Sequence, residues 1–104
     1  MEKEEWQNEY SILAKALAEF NLNYPNYKNG KSAKTKKDAE RGMNYPINLV
    51  KMRIEINLDL KRLLFDGYDS SGYGAVWEEF FNYSFFGNDL EEFLKKINTK
   101  INNL

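Results

Sequence analysis

Residues 46–65 decide the fold class, because their apolar side chains fit two kinds of secondary structure. Between Val50 and Leu60 apolar and polar residues alternate strictly, which taken alone is the pattern of a β-strand. The alternating apolar residues are Val50, Met52, Ile54, Ile56, Leu58 and Leu60. At about 100° per residue, however, the polar residues gather into two stripes along a helix, and Pro46 suits a first helical position. The run is also long for a strand, so we predict a central helix, with a strand over residues 50–60 as the alternative.

Two further segments repeat their apolar residues at steps of three and four, which is the spacing of one helix face. The first segment runs from Lys3 to about Asn21, and the second follows Asn88 and Asp89, either of which can cap a helix. The apolar stripes are Trp6, Tyr10, Leu13, Leu17 and Phe20 in the first segment, and Leu90, Phe93, Leu94, Ile97, Ile101 and Leu104 in the second.

The segments between these helices contain turn signals. Asparagine, proline and glycine predict a loop over residues 22–34. A short helix follows and stops at Gly42. A turn-rich loop over residues 66–72 then leads into a helix over about 73–86, which Gly87 ends.

The length and composition of the chain fit one small domain. Its 104 residues are 42% hydrophobic, which is enough for a single core. We predict an all-α fold, a compact bundle of four main helices plus one short helix, over residues 1–104. No uncharged stretch approaches the roughly 18 residues that a membrane helix needs, and the acidic start lacks the features of a signal peptide. We therefore expect a cytoplasmic protein without membrane contact.

The chain contains neither histidine nor cysteine, which removes several kinds of active site. Cys–His nucleophiles, Ser–His–Asp triads and zinc sites built on those residues are excluded. The loop after Asp66 departs from the EF-hand pattern, because Trp77 stands where the bidentate glutamate belongs. Glu78 and Glu79 point about 100° apart on a helix and so do not converge. We predict no enzymatic activity, no cofactor and no metal.

The segment between Asp66 and Leu94 carries seven acidic side chains and no basic one. It also holds nine of the sixteen aromatic residues. Those on the helix predicted over about 73–86, apart from Phe86 and together with Val76, span an arc of roughly 200°, which is wider than a core-facing stripe needs. We expect Phe86 in particular to be exposed, because it projects on the same side as Glu79. Such a surface suits a positively charged protein partner. The predicted contact residues are Asp66, Tyr68, Asp69, Tyr73, Glu78, Glu79 and Phe86.

These features predict a small antagonist that binds a basic protein. It would be an immunity protein or antitoxin that neutralises a nuclease toxin, or a phage-type inhibitor of a nucleic-acid-processing enzyme. A simpler interpretation stays open, in which the acidic residues cap and solvate helices and the rings line the core. A homodimer closed by the surplus rings is a further alternative.

Five lysines between Lys28 and Lys37, with Tyr24 and Tyr27 just before them, give a different alternative function. A small nucleic-acid-binding regulatory protein would use these lysines on phosphates and the tyrosines on bases. Two acidic residues follow at once, so a solvated loop explains the lysines more simply. On this ground we do not expect direct binding of nucleic acid.

Overall fold

The structure is a computed structural model, and residues 1–65 and 80–104 of it are described. Those residues form helices and connecting turns without a strand, so the prediction of an all-α bundle is confirmed and the alternative strand over 50–60 is wrong. The elements are α1 (Lys3–Asn29), α2 (Ala33–Glu55), α3 (Leu58–Leu64), a π-helical turn (Phe85–Asp89) and α4 (Leu90–Asn102).

Helix α1 begins as predicted but continues through the expected loop over 22–34 to Asn29. Pro25 lies inside the helix and lacks the amide hydrogen that a helix interior uses. Tertiary packing outweighs this cost, because Tyr24 and Tyr27 extend the apolar stripe of Phe20 and pack on the core. The side-chain amide of Asn23 also donates to the carbonyl of Glu19, 2.9 Å away.

Helix α2 passes through two residues that usually interrupt helices. The stop predicted at Gly42 is wrong, and Pro46 lies buried inside the helix rather than at its start. Gly42 instead allows α1 to approach closely, because a Cβ there would collide with the side-chain oxygen of Asn23. The helix begins at a cap in which the Ser32 hydroxyl accepts from the Thr35 amide at 3.1 Å.

The central helix predicted over 46–65 is divided in two. Helix α2 ends at Glu55, and Asn57 starts α3 by accepting from the amides of Asp59 and Leu60 at 3.0 and 3.2 Å. Asparagine favours such caps because its side-chain oxygen satisfies amides that have no partner within the helix. The cap turns the chain, so α3 packs against both α2 and α4.

The three residues between α1 and α2 make these helices antiparallel neighbours. Contacts between the two helices confirm this, because Glu9 meets Arg53 near one end and Asn23 lies beside Gly42 near the other. Helix α4 packs on α1. The largest fully buried side chains are Phe20, Phe85, Phe86, Phe93, Leu13, Met43, Ile54, Leu60, Leu90, Ile97 and Val50.

The start of α4 differs from the prediction, whereas its buried face agrees with it. Gly87 lies inside the π-helical turn and ends no helix, and Asp89 forms no side-chain cap. The stripe from Leu90 to Ile101 is buried as predicted, but Leu104 is exposed. The predicted loop over 66–72, with most of the helix over 73–86, lies outside the described residues.

Candidate functional site

Six of the seven predicted contact residues lie outside the described part of the chain: Asp66, Tyr68, Asp69, Tyr73, Glu78 and Glu79. The seventh, Phe86, is only 1% exposed, so the prediction of an exposed Phe86 is wrong. Its ring stacks on Phe20, with the ring centres 4.9 Å apart. The neighbouring Phe85 packs against Phe81 at 5.1 Å, so the turn directs both rings into the core.

The described end of the acidic segment separates its charges from its rings. Asp89, Glu91 and Glu92 are exposed at the start of α4, and Glu92 pairs with Lys95 at 3.2 Å. The described rings of the segment are instead buried or half-buried: Phe80, Phe81, Tyr83, Phe85, Phe86 and Phe93. In this part of the segment, the simpler interpretation of core-lining rings and solvated acidic groups therefore holds.

A buried ion pair joins α1 to the last turn of α2. Glu9 is only 4% exposed, and Arg53 donates to it through two nitrogens, with Nε 3.1 Å from Oε2. The hydrogen bond with Glu9 raises the pKa of Arg53. The pair lies in a depression of about 290 Å³. Because Arg53 engages both oxygens of Glu9, this carboxylate is not a free base, and the pair serves to hold the helices together.

Beside its buried residues, α2 carries a second row of apolar side chains, which we call the outer stripe: Tyr45, Leu49, Met52 and Ile56. Tyr45, Met52 and Ile56 are 65%, 48% and 67% exposed, and Leu49 is half-buried. Steps of four, three and four place these residues on one side of the helix. A shallow depression of about 270 Å³ lies among Tyr45, Asn48, Leu49 and Met52.

The outer stripe explains the alternation that the sequence shows. Val50 and Ile54 belong to a buried inner stripe, whereas Met52 and Ile56 belong to the outer stripe. The two stripes lie roughly 130° apart around α2 at 100° per residue. The sequence prediction placed the polar residues in two stripes along one helix, and the strict alternation is the signal of such a helix with two apolar stripes between them.

The turn between α1 and α2 gathers positive charge. We call this region the hairpin end, and its basic residues are Lys28, Lys31, Lys34, Lys36, Lys37 and Arg41. All six are exposed, and none of them forms an ion pair with another described residue. The lysines lie at the end of α1, in the three-residue turn and at the start of α2, whereas the sequence predicted a long loop there.

A row of rings leads along α1 toward the hairpin end. Tyr24 stacks on Phe20 at 5.3 Å between ring centres, and Tyr27 follows Tyr24 at 6.4 Å. Tyr83 meets Tyr27 edge-on at 5.3 Å. Burial raises the pKa of Tyr83, and a hydrogen bond with Tyr27 and the charge of Glu40 act in the same direction.

Neither the described residues nor similarity to known proteins assigns a function to the chain. Residues 1–65 and 80–104 contain no group of three or more acidic side chains arranged to hold a metal ion. In the same residues, no helix combines the length and the apolar character needed to span a membrane. Comparison with protein-family models, curated proteins and solved structures finds no match.

Proposed function

We propose that the protein is a small non-enzymatic antagonist that acts by binding another protein. Proteins of this class include immunity proteins and antitoxins that neutralise nuclease toxins, and phage-type inhibitors of nucleic-acid-processing enzymes. Their targets have a basic surface that binds nucleic acid. An inhibitor occupies such a surface through apolar contact area and complementary negative charge.

The outer stripe of α2 is the observation that supports this proposal most. Exposed apolar residues that form a continuous row, rather than occurring singly, are typical of protein contact sites. Steps of four and three are also those by which one helix packs along another. Within the described residues the other helices leave Tyr45, Met52 and Ile56 exposed. The outer stripe therefore provides the apolar part of the contact surface.

The excess of negative charge in residues 66–94 supports the proposal of a positively charged partner. Residues 66–94 hold seven acidic side chains and no basic one, and the acidic groups at the start of α4 are exposed. Complementary charge accelerates association and selects partners. Phe86 is removed from the predicted contacts because it is buried. The contacts that remain predicted are Asp66, Tyr68, Asp69, Tyr73, Glu78 and Glu79.

The experiment that tests this function uses the protein encoded by the neighbouring gene as the candidate target. Calorimetric titration measures its affinity, and a nuclease assay measures its inhibition at equal concentrations. For Met52→Ser with Ile56→Ser we expect affinity to fall roughly 30-fold, or about 2 kcal/mol, as for interface anchors. Leu22→Ser is the matched control, because Leu22 is 76% exposed on α1, away from the outer stripe. A neighbour that is neither bound nor inhibited contradicts the proposal.

A second pair of variants tests the predicted role of negative charge. Asp69→Lys with Glu79→Lys should slow association with a basic target by roughly tenfold at low salt. Glu4→Lys with Asp38→Lys changes the net charge by the same amount at two exposed positions on α1 and α2. If both double variants associate equally slowly, net charge rather than a local acidic surface controls binding.

Sedimentation separates this proposal from the homodimer that the sequence left open. We expect a sedimentation coefficient that is independent of concentration for the free protein, and a single faster species when the target is added. Association of the free protein that Ile56→Ser abolishes would assign the outer stripe to a second copy of the chain.

A further inference from the structure

The side of α2 opposite its buried residues changes from basic to apolar along the helix. Its first turns carry Lys34, Lys37 and Arg41, and its later turns carry Tyr45 and the rest of the outer stripe. At about 100° per residue all of these side chains fall in a sector roughly 120° wide that lies opposite Val50. The three basic residues and three of the four outer-stripe residues are exposed. They form one continuous surface, which we call the mixed face.

The mixed face has the length and the spacing that suit a second helix. From Lys34 to Ile56 it extends about 33 Å, at roughly 1.5 Å per residue. Its exposed residues recur at intervals of seven and four: Lys34, Arg41, Tyr45, Met52 and Ile56. Those are the intervals at which one helix packs along another. The depression of about 270 Å³ beside Tyr45 and Met52 offers a place for an apolar side chain of such a helix.

The basic half of the mixed face determines the charge of that second helix. Lys34, Lys37 and Arg41 form no ion pair with another described residue, so the described part of the fold leaves their charge unneutralised. Acidic side chains on a partner helix would neutralise it, while apolar side chains further along that helix would cover the outer stripe. Complementary charge of this kind selects a partner and fixes its register.

Two other occupants fit the mixed face less well. A second copy of α2 packed antiparallel would set Met52 and Ile56 against the basic half of the first copy, and a parallel copy would bring two basic halves together. An anionic lipid surface would attract the basic half but repel Glu55, which is exposed on the same side of α2 as Lys37. A helix of another protein, with acidic and apolar residues in separate halves, avoids both conflicts.

We infer that the mixed face binds an amphipathic helix of the target, with acidic residues of that helix against Lys34, Lys37 and Arg41 and its apolar residues against the outer stripe. The inference rests on the proposed antagonist function, because it names the element of the target that the outer stripe contacts. It gives the target two contacts of opposite charge. A basic surface of the target faces the acidic segment of this chain, and an acidic helix of the target faces α2.

Two designed peptides of identical composition test the inference without the target. Each is a three-heptad helix with a single apolar row. In the first peptide, three glutamates continue that row at one end, whereas in the second the same glutamates lie on the opposite side of the helix. Calorimetric titration of the full protein at low salt should show roughly tenfold tighter binding of the first peptide, as expected for three exposed charge pairs. Equal affinities, or no binding of either peptide, would overturn the inference.

Charge-reversed variants of the protein locate the contact. Lys34→Glu with Arg41→Glu should bring the affinities of the two peptides within about twofold of each other. Lys96→Glu with Lys100→Glu is the matched control and should keep the preference, since both lysines are exposed on α4 and the net charge changes equally. Circular dichroism checks that both variants remain helical. If the two double variants lose the preference alike, net charge attracts the peptide and the assignment to the mixed face is wrong.

Substitution of the apolar half separates this inference from the antagonist function. Met52→Ser with Ile56→Ser should weaken binding of the first peptide roughly tenfold, as for interface anchors. If these substitutions weaken binding of the target but neither peptide binds, the inference fails and the antagonist function stands. If the first peptide binds as expected but the candidate target does not, the antagonist function fails and recognition of an acidic helix stands.

The same variants identify the other occupants. Vesicles of phosphatidylcholine and phosphatidylserine should not bind the protein. Binding to them that Ile56→Ser abolishes would assign the mixed face to a lipid surface. Self-association in sedimentation that Ile56→Ser abolishes would assign it to a second copy of the chain. Either result would overturn the inference.

Discussion

The inner and outer stripes of α2 contain the same kinds of residue but lie in opposite environments. Ile54 is fully buried, whereas Ile56, two residues further along, is 67% exposed. The inner stripe faces the core formed with α1, whereas no described helix covers Tyr45, Met52 and Ile56 of the outer stripe. The difference shows that apolar periodicity identifies a surface to be covered, but does not indicate whether the same chain covers it.

The largest expected effect separates the two stripes by stability. Ile54→Ala removes buried apolar contacts and leaves a cavity, so we expect the free energy of unfolding to fall by about 2–4 kcal/mol. Ile56→Ala is the matched control, because it makes the same chemical change on the same helix at an exposed position. The control should change stability by no more than about 0.5 kcal/mol. Urea unfolding measures both values, and equal losses would contradict the distinction between the stripes.

The next largest effect concerns Arg53, which lies between the two stripes on α2. Arg53→Met leaves the buried carboxylate of Glu9 without its ion-pair partner. Because the Arg53 side chain is 26% exposed, we expect a loss of about 2 kcal/mol, below the usual cost of breaking a fully buried pair. Measurement by urea unfolding should give a smaller loss for Glu9→Leu with Arg53→Met, because no charge is then left unpaired. A double variant less stable than the single one would indicate a different role for the pair.

The smallest expected effect concerns Tyr83, which packs against Tyr24 and Tyr27 of α1. Burial raises the pKa of Tyr83 above its usual value of about 10. The unfolded chain therefore loses this proton at a lower pH than the folded protein does. The contribution of Tyr83 to the free energy of unfolding is therefore complete below about pH 10. It is lost as the pH rises toward the pKa of Tyr83 in the folded protein.

Unfolding experiments between about pH 9 and pH 11 measure this effect. Tyr83→Phe removes the ionising group, so the wild-type protein should lose more stability than the variant as the pH rises. Parallel curves for the two proteins would show that Tyr83 ionises alike in the folded and unfolded states.

The elements that could be predicted from the sequence are those with one uninterrupted apolar stripe. The start of α1 and the buried face of α4 follow directly from steps of three and four. Local spacing is enough to predict these helices, because a single apolar face needs only a core to pack against. The all-α class follows from the same spacing, including the choice of helix over strand for residues 46–65, although that segment breaks at Asn57.

The wrong predictions concern positions where tertiary contacts outweigh local preference. Pro25, Gly42 and Pro46 all signal a break, yet each lies inside a helix because packing between α1 and α2 compensates for the local cost. Gly42 was an indication of close helix approach rather than of a helix end. Phe86 was assigned to the surface from a helical wheel, whereas the π-helical turn places it against Phe20.

Methyl NMR of the free protein tests most directly whether α2 has one covered and one uncovered stripe. A soluble paramagnetic agent broadens the signals of methyl groups that it can approach. We predict strong broadening of the Met52 and Ile56 methyl signals, while those of Val50 and Ile54 stay sharp. Equal protection of all four residues would show that the outer stripe is covered in the free protein and would contradict its assignment as a contact surface.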